Sequence, residues 1–363
     1  MWWILSRISY ICELKHTVVP ETRQIEILNF IRNKANCSSG EIHKEFATSI
    51  SYATVKRILS QLLNEKFIVS EGKGKGTRYF ISPSYELLYS IDLDNYYEKE
   101  IDERQIKEEF NLEIFELLEK VAIFSKPELK KLSELQQKYT ENVSHLSEFE
   151  YRKELERLAI DLSWKSSQIE GNTYSLLETE RLLKDKETAA GKTKEEAIML
   201  LNHKDAIDFI VENPDYLIPL RISKIEDIHS LLIKELAVDK NLRKRRVGIS
   251  GTNYRPLDNE FKIREALESA CKLVNMKENI FEKALIILVL ISYIQPFMDG
   301  NKRTARIVSN AILMNYKHCP ISFRTIDSVD YKKAMLLFYE QNNISQFKEI
   351  FINQFEFAVK TYF

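Results

Sequence analysis

Residues 294–307 read IQPFMDGNKRTARI, and this stretch decides the fold of the larger part of the chain. It follows the apolar run ALIILVLISY and leads into IVSNAILMNY, and such runs predict buried helices. The Asp-Gly-Asn sequence between them predicts a turn that ends one helix and precedes the next. A cluster of polar and cationic side chains thus lies between two buried helices, which indicates a binding site.

The start of the second helix has the features of an anion site. Backbone N–H groups at a helix N-terminus lack intrahelical partners, and the helix dipole favours negative charge there. Gly300 lets the backbone approach a ligand closely, while Arg303 and Arg306 share a helix face and can both reach phosphate oxygens. Asp299 offers a hard oxygen ligand to Mg²⁺ that bridges phosphates. Arginines paired with surface carboxylates around an ordinary turn are the alternative, and the clustering of all these residues favours the anion site.

These residues resemble the signature of the Fic/Doc family, HPFx(D/E)GNxRxxR, from Pro296 to Arg306. Ser166–Asn172, SSQIEGN, resembles the family's inhibitory motif (S/T)xxxE(G/N), which comprises Ser166, Glu170 and Gly171 here. The segments IHSLLIKEL and RRVGISGTNYRPL resemble the helix and the target-positioning flap that precede the signature. The flap residues are expected to be Gly251, Thr252, Asn253 and Tyr254. The resemblance implies a helical Fido fold, so the expected fold class is mainly α.

The resemblance also implies a chemistry. Most members transfer AMP from ATP with Mg²⁺ onto a hydroxyl side chain of a target protein, and some Doc-like members transfer phosphate instead. Asp299 would hold the metal, Gly300 and Asn301 would line the phosphate cradle, and Arg303 would hold phosphate. Lys302 stands where many members have glycine and Doc-like members have lysine, so the transferred group stays open.

Glu170 is expected to restrain this chemistry. It ends a helix at Gly171, where the helix dipole disfavours a carboxylate, so a cationic partner is expected. The resemblance implies that this partner is Arg306, which would otherwise meet the γ-phosphate. An ordinary residue at a helix C-terminus is the alternative reading of Glu170.

Gln295 departs from the signature, which has histidine at this position. In the family, that histidine removes the proton from the attacking hydroxyl. A neutral amide cannot take a proton near neutral pH, and loss of a general base typically lowers the rate by ~10²–10⁴-fold. His203 and His229 lie on predicted helices, where a packed or surface role is expected rather than that of a substitute base. The sequence thus predicts an intact nucleotide site with impaired chemistry.

Residues 1–85 are predicted to form a winged helix-turn-helix domain. Three helical segments precede two β-like runs, FIVSEG and TRYFIS, which are joined by the basic sequence GKGKG. Residues 1–82 hold 12 Lys and Arg against 7 Asp and Glu, which suits contact with DNA phosphates. A protein-binding winged helix or a solvated basic face is the alternative. The residues expected to contact DNA are Tyr52, Thr54, Lys56, Arg57, Lys73, Lys75 and Arg78.

The remaining chain is expected to comprise an acidic helical linker at 86–112 and the Fic domain, with its inhibitory helix, at 113–363. The four cysteines lack metal or CxxC spacing, which favours free thiols in a reducing cytosol. The N-terminal MWWILSRISYIC is too short to span a membrane, and a first helix or strand, or an unstructured tail, is expected there. These features predict a cytoplasmic protein with no membrane contact. Whether it forms a homodimer stays open.

Two functions fit these expectations. The favoured one is a Fic-type protein adenylyltransferase that Glu170 inhibits and Gln295 weakens, coupled to a DNA-binding domain. The alternative is a DNA-binding transcriptional regulator whose Fic domain senses a nucleotide without catalysis.

Overall fold

The computed structural model describes residues 22–34 and 36–363. The described residues form two compact units, with the boundary between Tyr89 and Ser90. The boundary expected from the sequence was residue 85. The helix, strand or tail expected at residues 1–20 lies outside the described residues.

The first unit is a winged helix. Its second and third helices begin at side-chain caps, with a capping box at Ser38 and an N-cap at Ser51. The two wing strands are antiparallel, and Cys37 adds a one-residue bridge to Tyr79. Side chains from the first three helices and from both strands form one buried cluster. In chain order the elements are α1 (Thr22–Lys34), α2 (Ser39–Glu45), α3 (Tyr52–Asn64), β1 (Ile68–Glu71), β2 (Arg78–Ile81) and α4 (Pro83–Leu88).

The second unit is helical. Long amphipathic helices with capping boxes surround an apolar centre, as the periodicity of the sequence predicts. In chain order they are α5 (Leu93–Tyr97), α6 (Ile114–Lys120), α7 (Lys126–Ser144), α8 (Glu148–Ile169), α9 (Leu176–Asp185), α10 (Lys194–Glu212), α11 (Ile222–Leu232), α12 (Glu260–Met276), α13 (Ile280–Ile294), α14 (Asn301–Asn315), α15 (Ser328–Gln341) and α16 (Ser345–Thr361). No helix in the described part of the chain is both long and apolar enough to cross a membrane.

The centre of the second unit is α13, which is buried on every side because it is apolar on every side. Among the helices of the described residues, α13 and α14 form the most extensive packing contact. α13 ends at Gln295, whose backbone is left-handed with φ of 51°, and α14 begins after Gly300, with φ of 77°. The loop between these two residues carries the conspicuous polar stretch of the sequence.

The acidic segment 90–112 is part of the second unit and contacts its helix α15. The sequence had predicted a helical linker at 86–112. Leu93–Tyr97 is its only α-helix in the described structure, followed by a 3₁₀ turn at Ile101–Glu103. The side chains of Arg104 and Glu340 form a buried ion pair at 3.4 Å, and the Tyr96 hydroxyl donates to Glu340 at 2.7 Å. Charged residues in this segment therefore anchor it to α15, although in sequence they resemble a solvated connector.

Candidate functional site

A buried arginine, Arg243, donates hydrogen bonds to backbone carbonyls of the loop from Gln295 to Gly300. Arg243 is 2% exposed, and its Nε donates to the Gln295 carbonyl at 2.6 Å. Its backbone N–H donates to the Pro296 carbonyl at 2.9 Å. These contacts satisfy carbonyl groups at the end of α13, where the helix leaves them without partners. This role could not be predicted from the sequence, because Arg243 belongs to the run RKRR, which resembles an exposed basic patch.

His229 packs against the other side of the loop. Its ring stacks on Phe297 with 3.6 Å between centroids, and its Nε2 lies 3.0 Å from the carbonyl oxygen of Asp299. Its Nδ1 lies 3.3 Å from the carbonyl of Lys240. Burial lowers the pKa of His229, and the neutral ring has a single N–H, which it can donate to only one of these two carbonyls. Both ring nitrogens face backbone carbonyls, and His229 therefore supports the loop, in agreement with the packed role expected from the sequence.

Asp299 and Gly300 form the open edge of the site. The Asp299 side chain is 60% exposed, and its Oδ1 accepts a hydrogen bond from the Gly300 N–H at 2.6 Å. A Cβ on Gly300 would lie 3.4 Å from the His229 ring, in a conformation that side chains rarely adopt. The left-handed backbone that leads into α14 therefore favours glycine at this position.

Arg303 is buried directly behind this edge. It is 1% exposed, and its Nη2 donates to Asp299 Oδ2 at 3.0 Å. Its Nη1 contacts the Leu232 carbonyl at 3.4 Å, while its Nε has no hydrogen-bond partner. A buried guanidinium with an unused donor indicates a ligand that would complete its hydrogen bonds.

Arg306 lies one turn further along α14 and is fully buried. Its Nε donates to Ser166 Oγ at 2.8 Å, and its Nη2 donates to the Ser166 carbonyl at 2.9 Å. The same Nη2 lies 2.9 Å from Glu170 Oε1. The structure thus brings Ser166, Glu170 and Arg306 together, although 136 residues separate the last two in sequence.

Glu170 is held by two cations at once. Lys302 Nζ lies 3.0 Å from its second carboxylate oxygen, so each oxygen has its own partner. Burial alone would raise the pKa of Glu170, but Arg306 and Lys302 outweigh burial and lower the pKa from its usual value of 4.5. Glu170 is therefore ionised at neutral pH. Gly171 follows with φ of 97°, which ends the helix.

Gln295 and Asn301 share one hydrogen-bond network under the loop. Gln295 is 8% exposed, its Nε2 donates to the Ser292 carbonyl at 2.6 Å, and its Oε1 accepts from Asn301 Nδ2 at 3.0 Å. Asn301 Oδ1 also accepts from the Phe297 N–H at 2.8 Å. Both side chains therefore hold the loop. The side chain of Asn301 faces the loop backbone, whereas the sequence predicted a place in a phosphate cradle.

The residues present fit a magnesium ion only together with phosphate. In the described residues, no group of three or more His, Cys, Asp or Glu side chains is arranged to hold a metal ion. Mg²⁺ in proteins often uses one or two carboxylates and completes its shell with substrate phosphates and water. Asp299, with its exposed carboxylate, offers one such ligand beside two buried arginines.

The segment expected to be the flap is tied to residues 102–109. Arg104 Nη2 donates to the Gly251 carbonyl at 2.8 Å, and Asn253 Nδ2 donates to Asp102 at 2.8 Å. The Thr252 hydroxyl accepts from the Tyr254 N–H at 3.1 Å. Tyr254 itself is buried, with its hydroxyl on the Tyr293 carbonyl at 3.0 Å. This part of the chain is therefore anchored on both sides.

The residues expected to contact DNA lie on the third helix and the wing of the first unit. Lys56, Arg57, Lys73 and Lys75 are exposed. Arg78 is exposed and paired with Glu41. The Tyr52 and Thr54 hydroxyls contact Ser39 and Ser51 at 3.0 Å and 2.9 Å. The lysines and Arg57 therefore remain the best candidates for phosphate contact.

Comparison with known families identifies both units. Residues 219–313 match the Fic/DOC family, and residues 22–111 match the penicillinase repressor family. A curated relative, Protein adenylyltransferase Fic of Nematostella vectensis, is 27% identical over 175 residues. The match covers 46% of this chain and 40% of that relative, so the chain spans less than half of the relative's length.

Solved structures confirm the fold of the second unit. Fic-1 from C. elegans has a TM-score of 0.57 at 20% identity, over 65% of this chain and 72% of that one. A Fic domain containing signaling protein from Bacteroides thetaiotaomicron has a TM-score of 0.56 at 18% identity, over 64% and 95%. The second unit thus has the fold of a Fic domain, and in sequence it follows the winged helix. The chain thus contains a Fic/DOC domain and, at its N-terminal side, a winged-helix domain of the penicillinase repressor type.

Proposed function

We propose that the second unit binds a nucleoside triphosphate, with ATP expected, together with Mg²⁺ at the start of α14. The observation that carries the proposal is the environment of Arg306. A fully buried guanidinium needs a negative partner, and here Glu170 supplies it from the end of a different helix. Glu170 remains 17% exposed, so a phosphate arriving from solvent could take the place of its carboxylate.

The other residues of the site suit the same ligand. Arg303 has a buried donor without a partner, and no side chain caps the N-terminus of α14, where backbone N–H groups suit an anion. Asp299 would hold the magnesium ion, which would neutralise phosphate charge when bound. Lys302 would approach the phosphates once Glu170 no longer holds it. These residues would bind and orient the nucleotide.

We further propose that Glu170 inhibits this site. Its two oxygens occupy Arg306 and Lys302, the two cations that a terminal phosphate would need. A carboxylate in that position competes with phosphate for the same donors. Release of Glu170, or its replacement, would therefore favour a productive nucleotide position.

Transfer of AMP to a protein hydroxyl is expected to be weak. Gln295 stands where the family has its general base, and an amide cannot accept a proton near neutral pH. Its oxygen is already occupied by Asn301 and its nitrogen by the Ser292 carbonyl. A target hydroxyl presented beside the expected flap, residues 249–256, would therefore meet no proton acceptor at the position of Gln295.

Labelling with ATP tests the transferase proposal. The unaltered protein should label itself or a protein target poorly, whereas Gln295→His combined with Glu170→Gly should label more, by ~10²-fold or above. Glu170→Gly alone is the matched control, since it frees the site without supplying a base. Equal labelling by the single and double variants would contradict the role assigned to Gln295.

The first unit is proposed to bind DNA through its third helix and wing. The match to the penicillinase repressor family and the exposed lysines at 56, 73 and 75 support this proposal. A gel-shift series should show affinity that falls as salt rises, because each phosphate contact releases counterions.

Charge variants provide the control for this DNA experiment. Lys56→Ala, Arg57→Ala and Lys75→Ala together should weaken binding and flatten the salt dependence. Lys272→Ala, at an exposed lysine of the second unit, should leave both unchanged. An affinity for DNA that is unchanged by the triple substitution would contradict the proposal that this surface binds DNA.

A second candidate function is a nucleotide-sensing regulator without catalysis. The engagement of Gln295 within the loop network favours it, because that arrangement serves structure and leaves no acceptor for a proton. Two results together would favour this candidate. The affinity for DNA would change when Mg-ATP is added, and neither the protein nor its variants would transfer label from ATP to themselves or to a protein target.

A further inference from the structure

His203 is a buried imidazole that none of the roles above uses. It lies on α10 and has no exposed surface. Its Nε2 lies 2.6 Å from Ser166 Oγ, the shortest polar contact that the serine makes. The ring therefore reaches the candidate site through a second side chain.

Ser166 links this ring to the arginine that meets Glu170. Its Oγ accepts a hydrogen bond from Arg306 Nε at 2.8 Å, while its carbonyl accepts from Arg306 Nη2 at 2.9 Å. A serine hydroxyl rotates freely unless a second partner fixes it. His203 is that partner, and either tautomer closes the contact because the serine can donate or accept.

The charge state of His203 suits this role. Burial, together with the positive charges of Arg306 and Arg303, holds the pKa of His203 well below its ordinary value. The ring is therefore neutral and adds no third positive charge beside the two arginines. Its Nδ1 has no hydrogen-bond partner, so Ser166 is the contact that gives the ring its polar function.

We infer that His203 is a positioning residue: through Ser166 it fixes the Arg306 guanidinium in the orientation that meets an anion. The inference rests on the proposed function, in which that anion is the terminal phosphate of a Mg-bound nucleoside triphosphate. Loss of the His203–Ser166 contact should therefore weaken recognition of the third phosphate and leave the rest of the nucleotide site intact.

Calorimetry on full-length protein carrying Glu170→Gly tests the inference, with Mg-ATP and Mg-ADP as probes. His203→Leu should weaken ATP binding by about tenfold, the size of one hydrogen bond to a charged group, and change ADP binding by less than about twofold. His203→Gln, whose amide can reach Ser166 as Nε2 does, should restore the preference for ATP. Ile207→Ala, a buried substitution one turn along α10, is the control and should alter both affinities equally.

Ser166→Ala gives an independent variant of the same contact, which also covers the case that His203→Leu does not fold. It should show the same ATP-specific loss, and adding His203→Leu to it should cause no further loss. Equal losses for ATP and ADP, additive effects of the two substitutions, or no rescue by glutamine would overturn the inference. A Glu170→Gly parent that binds neither nucleotide would instead contradict the proposed function, and the inference with it.

Discussion

At the scale of single residues, the site depends on how buried charges are matched. Arg306 is fully buried and the Glu170 side chain is 17% exposed, and each would be costly to bury without its partner. Lys302 binds the second carboxylate oxygen, which leaves Glu170 fully engaged. The inhibitory carboxylate and the cations it covers are thus one electrostatic unit, and the state of Glu170 controls access to both cations.

Replacing Glu170 by glutamine should therefore lower the free energy of unfolding by about 1–3 kcal/mol at pH 7. The folded-state pKa of Glu170 lies below its usual value of 4.5, so ionisation stabilises the fold at pH values above that range. This contribution is lost as pH falls through the folded-state pKa. Chemical denaturation at several pH values should show the difference between the two proteins shrinking below about pH 4.5.

Glu180→Gln is the matched control for this measurement. Glu180 pairs with Lys184 on an exposed helix face, and such pairs contribute less than about 1 kcal/mol. A difference between wild type and Glu170→Gln that stays constant down to pH 3 would contradict the ion pairing of Glu170.

At the scale of elements, the junction of α13 and α14 is a loop that side chains of the surrounding helices stabilise between two buried helices. Gln295 takes a left-handed backbone that costs an ordinary residue about 1 kcal/mol or more, and side chains from both helices offset this cost. Asn301 contacts both the N–H and the carbonyl of Phe297, while Arg243 holds the preceding carbonyls. Contacts within the protein thus hold the loop in this conformation without a ligand, as a preformed anion site requires.

Asn301→Ala should destabilise the protein by about 3 kcal/mol, because both polar groups of the Phe297 backbone lose their partner in a buried place. It should also weaken nucleotide binding. Asn315→Ala, at the other end of the same helix, removes contacts to Pro214 and Asp215 that are exposed, and should cost within about 1 kcal/mol. Equal unfolding free energies for the two variants would show that Asn301 does not hold the loop.

Much of this junction could be predicted from the sequence, because charged residues between two apolar runs are a local signal. Arg243 and His203 could not, since a buried cation in a basic run and a buried histidine in an amphipathic helix look like surface residues in one dimension. Their burial depends on which distant carbonyl or hydroxyl the fold brings to them. The same reason explains why residues 86–112 were expected to be a linker: the partner of Arg104 lies more than 200 residues away.

At the scale of the whole molecule, two units of opposite charge share one chain. Residues 1–82 carry an excess of five positive charges and the remainder an excess of six negative charges. The fold class expected from the sequence is confirmed for both units, since periodicity and turn residues are local properties. The roles of the site residues and of the basic surface stay predictions, because a fold supports many functions and the site alone decides among them.

Binding of a polyphosphate where α13 ends and α14 begins can be measured by calorimetric titration of Mg-ATP into the unaltered protein and into Glu170→Gly. We expect saturable, magnesium-dependent binding that becomes about tenfold tighter when the competing carboxylate is removed. No magnesium-dependent uptake of any nucleoside triphosphate by folded Glu170→Gly protein would contradict it.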